Sequence, residues 1–168
     1  AFSSELKDTH GMVSAFTKKT GFCVSSFMYS RVSKNGNTLT ESGREQTDQK
    51  VSRIYTVKVQ DGDEVWLEKY ILNLSSLYVA PDQHKTEGNT RLMQHVTKGF
   101  EALRLLHIEA WQKIWDGADI VIEGNVAAQQ GIRFNIFQLW QTYTGEDARL
   151  NIGPKGFTGE KYGGSTYW

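Results

Sequence analysis

The first eighty residues alternate between apolar and polar side chains, which is the spacing typical of β-strands. The alternation runs through residues 21–24 and 51–59, and residues 64–72 are rich in aromatic and branched side chains. Residues 34–37 and 60–63 contain Asn-Gly and Asp-Gly pairs, which accept the positive φ angles of tight turns. The pattern therefore predicts antiparallel strands packed as a β-sandwich, although the first twenty residues are ambiguous. Because about eighty residues are few for a complete β-sandwich, we expect further strands on its N-terminal side.

Near residue 90 the apolar residues take up the three-and-four spacing of an α-helix. One predicted apolar face contains Met93, Val96, Phe100, Leu103, His107, Ala110 and Ile114. Gly99 weakens this helix by about 1 kcal/mol relative to alanine, so its firm part is expected at residues 100–115. A second helix is predicted from Asn125, its N-cap, to about Tyr143, with Gly145 placed to end it.

Strands followed by helices indicate an α+β chain or two adjoining domains. The sequence ends on Tyr167 and Trp168 directly after a run of glycines and small hydroxyl residues, whereas domain termini are usually polar. We therefore expect the chain to be a fragment of a longer protein.

Charge and composition exclude several classes of protein. The 168 residues carry 19 lysines and arginines against 19 aspartates and glutamates, so the net charge is zero and a general nucleic-acid binder is not indicated. No apolar run is long enough to span a membrane, no signal peptide is visible, and the single cysteine, Cys23, cannot form an internal disulfide. We expect a cytoplasmic protein with neither nucleic-acid nor membrane partners.

The last eighteen residues are the most informative stretch, with five glycines and four aromatic residues. Glycines let a ligand approach the backbone, and aromatic rings offer flat faces for the C–H groups of a sugar. A surface loop whose aromatic residues cap a helix pair would have the same composition. The glycine spacing matches neither a phosphate-binding loop nor a dinucleotide-binding turn.

Other candidates for chemistry are better explained by structure. His107 and Glu109 are two positions apart on a helix and point to different faces, so they form no metal pair; His107 is expected in a core or interface. Arg133 is expected to form an ion pair, and Cys23 has no histidine nearby in sequence and no nucleophile signature. Three tryptophans are spaced for helix packing, namely Trp111, Trp115 and Trp140.

Residues 155–168, which read KGFTGEKYGGSTYW, resemble the signature segment of glycoside hydrolase family 65, the family of maltose, trehalose and kojibiose phosphorylases. Within it, the wording of residues 160–168 is most similar to maltose phosphorylases. Many relatives carry glycine at the position of Lys161 and histidine at that of Ser165. The resemblance extends to residues 67–70, 106–115 and 131–139, which are similar to the last sandwich strands, the linker helix and the first barrel helix of the family.

The resemblance implies a fold and an activity. The expected chain is an α+β fragment: part of an N-terminal antiparallel β-sandwich at 1–85, a helical linker at 86–124, and the start of an (α/α)6 catalytic barrel at 125–168. The implied activity is inverting phosphorolysis of maltose to glucose and β-D-glucose 1-phosphate, with one glutamate as general acid. Inorganic phosphate is a co-substrate, no cofactor or metal is expected, and a homodimer is the implied assembly.

Only one site residue carries over. Trp168 matches the tryptophan that holds the glucosyl unit beside the bond that breaks. Glu160 does not correspond to the general acid, which is expected downstream with the phosphate site, so the chain is expected to contain no catalytic residue and to be inactive alone. Two alternatives stay open. The first is another family member, either a trehalose or kojibiose phosphorylase or an α-glucoside hydrolase. The second is a non-catalytic carbohydrate-binding β-sandwich, which would not require two helices.

Overall fold

The computed structural model describes residues 2–7 and 9–149. The chain divides into two compact units, Ala1–Arg104 and Leu105–Trp168. The first is built on strands and one helix, and the second is helical over its described part.

The first unit is organised around a five-stranded antiparallel sheet. Its strands are β1 (Phe2–Leu6), β2 (His10–Phe16), β3 (Cys23–Lys34), β4 (Asn37–Thr38) and β7 (Val65–Ser75). Strands β2 and β7 flank β3, β1 lies outside β2, and β4 pairs with the end of β3. A separate hairpin contains β5 (Gly43–Thr47) and β6 (Lys50–Ile54). The ambiguous first twenty residues thus form two of the strands.

The two predicted turns both form, but only one closes a hairpin. Asn35 and Gly36 take φ angles of 50° and 80° between β3 and β4, as the Asn-Gly pair predicts. At the second turn the Asp63 amide donates to the Gln60 carbonyl over 3.1 Å. The strand predicted at 51–59 is wrong beyond Ile54, because the chain there crosses the sheet instead of pairing with it.

Side-chain hydrogen bonds hold this crossing segment on the sheet. Arg53 Nη1 donates to the Ser30 carbonyl over 2.8 Å, and the Tyr55 hydroxyl donates to the same carbonyl over 3.3 Å. Arg53 Nε also donates to Glu41 Oε2 over 2.6 Å, and the Arg53 hydrogen bond lowers the pKa of Glu41. The alternation of residues 55–59 therefore reflects one side lying on the sheet, not a ladder.

The opposite face of the sheet carries the core. Along β3 every second side chain from Cys23 to Phe27 is buried, as the strand period requires. The core cluster consists of Phe27, Leu74, Val79 and Leu92, with Met12, Tyr29, Tyr70 and Leu72 packed against it.

Three helices follow the strands: α1 (His84–Lys98), α2 (Phe100–Ala118) and α3 (Val126–Thr142). The prediction that one helix runs through Gly99 is wrong, but its expected firm part at residues 100–115 is confirmed, since it lies within α2. Gly99 has φ 78° and ψ 163°, so it ends α1, and its amide donates to the carbonyls of His95 and Val96. Glycine adopts this conformation without steric cost, so it marks a break and not merely a weak position.

The predicted apolar face of the first helix is also not the buried one. α1 turns His84, Gly88 and Leu92 to the sheet, four residues apart each time, whereas Met93 of the predicted face is exposed. Phe100, also on the predicted face, is exposed at the start of α2. Gly88 is needed there because a Cβ at this position would lie 2.1 Å from Cζ of Phe27.

Helix α3, which is the second of the two predicted helices, begins as predicted. The Asn125 side chain accepts a hydrogen bond of 3.0 Å from the Ala128 amide, so the expected N-cap is confirmed. The helix ends at Thr142, which agrees with the predicted end at about Tyr143. Its C-cap is Tyr143, already extended, and not Gly145. Neither α2 nor α3 contains a buried residue.

Candidate functional site

The predicted site residue, Trp168, lies outside the described residues. The same holds for Glu160 and for the whole signature segment at 155–168. The substrate-binding role of Trp168 therefore stays a prediction. The described residues that precede this segment are α3 and the chain before it.

The chain before α3 is fastened to the helix by side chains. Arg133 binds Asp119 through two hydrogen bonds, Nε to Oδ1 at 2.8 Å and Nη2 to Oδ2 at 2.6 Å, and these bonds lower the pKa of Asp119. The predicted ion pair of Arg133 is thus confirmed. Gln129 adds a second clamp, because its amide nitrogen donates to the Ile120 carbonyl over 2.9 Å and its amide oxygen accepts from the Ile122 amide over 2.6 Å. Sequence reasoning missed Gln129, whose partners are backbone groups.

An aromatic cluster joins α2 to α3. The Trp111 ring lies 6.2 Å from that of Trp115 and 5.1 Å from that of Phe137, measured between centroids. Both tryptophans are half-buried, as is Trp140, so their packing role agrees with the prediction. His107 contacts Trp111 edge-on at 6.3 Å, and its exposed side chain contradicts the core half of the prediction, so that only the interface role stays a prediction. Glu109 forms a helical ion pair with Lys113 at 3.0 Å. This cluster serves packing and presents no catalytic geometry.

A buried polar cluster was not expected from the sequence. Ser25 Oγ lies 2.8 Å from His84 Nδ1 and 2.6 Å from Ser14 Oγ, and Cys23 Sγ lies 3.7 Å from the same ring nitrogen. His84 Nε2 lies 3.0 Å from the Val79 carbonyl. Because a carbonyl can only accept, Nε2 carries the hydrogen, and Nδ1 then accepts the hydroxyl hydrogen of Ser25.

The cluster has the atoms of a nucleophile–base pair but no access to a substrate. Ser25 is completely buried, and Cys23 and His84 are each 2% exposed. The side chains of Ser14, Cys23, Ser25 and His84 each have a hydrogen-bond partner within this cluster, which is how a buried polar network stabilises a single packing. We conclude that it fixes the first turn of α1 on the sheet. The histidine that contacts Cys23 is 61 residues away in sequence, so no local signal could have identified it.

The described part of the chain contains no candidate metal-binding site. Over residues 2–7 and 9–149 there is no group of three or more metal-ligating side chains. Within the same ranges no helix is both long and apolar enough to cross a membrane.

Two profiles of one family match this sequence. The profile described as "Glycosyl hydrolase family 65, N-terminal domain" matches residues 1–114, and that described as "Glycosyl hydrolase family 65 central catalytic domain" matches residues 133–168. The first match alone covers more than half of the chain. The chain therefore belongs to glycosyl hydrolase family 65.

Several curated relatives of this chain are phosphorylases. The chain is 47% identical over 102 residues to maltose phosphorylase of Bacillus subtilis, an alignment covering 61% of this chain and 14% of the relative. It is 34% identical over 136 residues to alpha,alpha-trehalose phosphorylase of Thermoanaerobacter brockii, covering 79% of this chain and 16% of the relative. It is 36% identical over 104 residues to kojibiose phosphorylase of Caldanaerobacter subterraneus, covering 62% and 14%.

The fold agrees with a solved structure named "Putative kojibiose phosphorylase from human microbiome". The TM-score is 0.73 at 23% identity, and the match covers 96% of this chain but 21% of the other. The antiparallel sheet with its following helices is thus a fold found in this family. The alignments also show that the chain spans about a seventh of the length of the curated relatives.

Proposed function

We propose that this chain is part of an inverting disaccharide phosphorylase that converts maltose and phosphate to glucose and β-D-glucose 1-phosphate. The observation that carries the proposal is an identity of 47% sustained over 102 residues to a maltose phosphorylase. Kojibiose and trehalose phosphorylases reach 36% and 34% over 104 and 136 residues, and the 48% identity to another trehalose phosphorylase extends over only 56 residues. The similarity of residues 160–168 to maltose phosphorylases supports the same choice.

The proposal includes an assignment of domains. Residues 1–85 would belong to an N-terminal β-sandwich, 86–124 to a helical linker, and 125–168 to the first segment of an (α/α)6 barrel. The exposed apolar side chains of α3, such as Phe134 and Leu139, support the last assignment, because a barrel helix needs neighbours to cover them. Neighbouring barrel helices would lie in the part of the polypeptide outside this sequence.

The proposed reaction exchanges one bond at the anomeric carbon. A phosphate oxygen attacks C1 of the glucosyl unit from the face opposite the glycosidic bond, and the bond to the leaving glucose breaks. A carboxylic acid donates its proton to the glycosidic oxygen as that bond breaks. Attack from the opposite face inverts the α-linkage to a β-phosphate. We assign the acid to a glutamate outside this sequence, so the 168-residue chain is expected to be inactive alone.

Within this chain, Trp168 is the residue we propose to contact substrate. Its indole ring would lie against the glucosyl unit and stabilise the flattened, oxocarbenium-like ring more than the ground state, which raises kcat/KM. Arg133 and Gln129 hold the start of α3, the helix that precedes this segment in the chain, against residues 119–122.

The remaining components of the proposal follow from the family resemblance. Inorganic phosphate acts as co-substrate, and neither a metal nor an organic cofactor takes part. We propose a homodimer in the cytoplasm.

The activity is tested by supplying the full-length protein with one disaccharide at a time. Maltose, trehalose and kojibiose are each incubated with phosphate, and proton NMR follows the anomeric signals. We expect glucose and β-D-glucose 1-phosphate in equal amounts from maltose. Faster turnover of trehalose or kojibiose would reassign the substrate, and glucose release without phosphate would make the protein a hydrolase. The 168-residue chain serves as the inactive control.

The role of Trp168 is tested in the full-length enzyme by Trp168→Ala, with Trp111→Ala as the matched control. Trp168→Ala is expected to lower kcat/KM strongly at unchanged thermal stability. Trp111 packs against Trp115 and Phe137, so its truncation should cost about 3–5 kcal/mol of stability instead. Near-normal kcat/KM with lost stability in Trp168→Ala would make Trp168 a packing residue.

A further inference from the structure

The first unit has a small polar pocket at the end of its sheet where β3 and β4 meet. Its volume is about 250 Å³, and its walls are Arg31, Ser33, Gly36, Thr38, Trp66 and Glu68. The wall residues belong to β3, β4 and β7, except for Gly36 in the turn between β3 and β4. All of them lie in the first unit. We refer to this surface as the Trp66 pocket.

The strand register places the indole ring and the polar side chains of the pocket on one face. Trp66 pairs with Ser33, and Ser33 pairs with Thr38, so these three side chains form a row across three neighbouring strands. Arg31 pairs with Glu68 two residues further along, and both therefore point to the same face. Neighbouring strands are about 4.8 Å apart and alternate residues about 6.7 Å apart, so the floor measures roughly 10 by 7 Å. One hexose ring with its hydroxyl groups fits this floor.

Several hydrogen-bonding groups in the pocket are open. Arg31 Nε donates to Glu68 Oε2 over 2.6 Å, and Arg31 Nη2 contacts the same oxygen. Glu68 Oε1 and the hydroxyls of Ser33 and Thr38 have no hydrogen-bond partner among the described residues. The Trp66 side chain beside them is 64% exposed. The pocket therefore combines free acceptors and hydroxyls with one flat apolar ring.

This combination suits a neutral sugar. The C–H face of a pyranose packs against an exposed aromatic ring, while the sugar hydroxyls both donate and accept hydrogen bonds. The opposite charges of Arg31 and Glu68 cancel within the pocket, so an anionic ligand such as a sugar phosphate gains no net attraction. Sites that enclose drug-sized ligands measure about 300–1,000 Å³, so this smaller pocket admits one sugar unit and not a whole disaccharide.

We propose that the Trp66 pocket binds one neutral glucosyl unit, presented by free maltose or by a longer α-glucan. The choice of a glucosyl unit rests on the proposed function, whereas the size and neutrality of the ligand rest on the pocket itself. The pocket thus gives residues 31–38 and 66–68, which the proposed reaction does not use, a role in holding carbohydrate.

Binding is tested by fluorine NMR on the full-length protein labelled with 5-fluorotryptophan, in the absence of phosphate. The signal of Trp66 is identified by its loss in Trp66→Phe. Maltose should shift this signal to saturation with a dissociation constant in the millimolar range, because one exposed ring and a few hydrogen bonds leave little surplus after the entropy cost of binding. Sorbitol, an open-chain polyol, should give no saturation. A Trp66 signal that does not respond to maltose would overturn the proposal, whether the pocket is open or covered by other parts of the polypeptide.

Two variants show whether the shift arises in the pocket. Glu68→Gln replaces the open carboxylate oxygen with a neutral acceptor, so maltose should bind about 3- to 10-fold more weakly. Leu67 is the matched control, because it is 64% exposed like Trp66 but points to the other face of the sheet. Leu67→Ala should leave the dissociation constant unchanged. If Glu68→Gln leaves it unchanged as well, the shift is transmitted from another site and the proposal is wrong.

Glu68→Gln also tests the argument from charge. The variant leaves Arg31 without its counter-charge, so glucose 1-phosphate should bind about 3- to 10-fold more tightly than to the unmodified protein. Stability should hardly change, because an exposed ion pair contributes little to it. An unchanged affinity for glucose 1-phosphate would contradict a pocket selective for neutral sugars.

Affinity electrophoresis through gels that contain amylose distinguishes the two sources of the glucosyl unit. Retardation that is lost in Trp66→Ala and kept in Leu67→Ala identifies a longer α-glucan as the ligand. Saturable maltose binding without retardation identifies the free disaccharide. Neither measurement involves turnover, so failure of the proposed phosphorolysis leaves both results unaffected.

Discussion

The two units of the chain differ in how much apolar surface they bury. The first unit covers one sheet face with α1 and encloses a core that includes Phe27 and Leu92, which are 0% and 1% exposed. The helical unit has ring contacts and polar clamps, yet none of its described residues is buried. Burial of apolar surface is the main stabilising term in folding. The first unit therefore has a core of its own, whereas the described residues of the second need other surfaces to cover their apolar side chains.

The largest expected difference is between two phenylalanines, one from each unit. Phe27→Ala should lower the free energy of unfolding by about 3–5 kcal/mol, because it empties the centre of the core. Phe134 is 58% exposed, so Phe134→Ala should change it by less than about 0.5 kcal/mol in this chain. Denaturant unfolding of both variants measures this. Comparable losses for the two would remove the distinction between the units.

Two helical glycines give the next comparison. A Cβ on Gly88 would overlap the Phe27 ring, so Gly88→Ala should destabilise the first unit by about 1–3 kcal/mol despite the better helix propensity of alanine. Gly117 in α2 has nothing within 4 Å of such a Cβ. Gly117→Ala should therefore stabilise its helix by about 0.5–1 kcal/mol. Thermal unfolding followed by circular dichroism reports both, and stabilisation by Gly88→Ala would show that α1 is not held close to β3.

Neighbouring serines test the buried network. Ser25→Ala removes the hydroxyl partner of both His84 Nδ1 and Ser14 and leaves only the weak Cys23 thiol beside the ring nitrogen, which should cost about 1–3 kcal/mol. Ser26 donates to Asn73 at an exposed site, so Ser26→Ala should cost less than about 0.5 kcal/mol. The measurement is the free energy of unfolding at neutral pH. Equal small effects would mean that the network does not anchor α1.

The smallest expected effects are electrostatic and occur in both units. Hydrogen bonds from Lys34 and Asn35 lower the pKa of Asp63 to about 2, and Arg133 lowers that of Asp119. Each folded-state pKa is below the unfolded value of 3.8, so the stabilisation is present above pH 3.8 and is lost as the pH falls through the folded pKa. For Asp63 the loss should occur between pH 3.8 and about 2.

Substitutions separate the two carboxylates. Lys34→Met should raise the pKa of Asp63 and leave that of Asp119 unchanged, and Arg133→Met should do the reverse. Carbon-detected NMR titration of the side-chain carboxyls measures both values. A shift of both pKa values by one substitution would mean that the two ion pairs are coupled.

Features set by local chemistry could be predicted from the sequence. Asn35 and Gly36 form their turn and Asn125 caps its helix because each acts on backbone only a few residues away. At Gly99 the sequence predicts only a propensity cost, whereas the structure shows a positive φ that separates two helices. The spacing of apolar residues continues across Gly99, so it contains no signal for this break.

Features set by distant partners could not be predicted. Ser25 and His84 are 59 residues apart, and their hydrogen bond exists only because α1 packs across β3. Likewise, Leu92 and not Met93 is buried, because Gly88 lets the same face of α1 approach Phe27. For the candidate site, Trp168 was identified only by resemblance to a family. The role of Gln129 could not be predicted because its partners are backbone groups, and that of Asp119 because its partner, Arg133, lies 14 residues further along the chain.

Hydrogen exchange in α3 tests the contrast between the units most directly. In the 168-residue chain we expect the amides of α3 to be at least about 100-fold less protected than those in the middle of β3, because local opening costs little where no side chain is buried. In the full-length protein the protection of α3 should rise to the level of β3. Protection of α3 equal to that of β3 in the 168-residue chain would contradict the account.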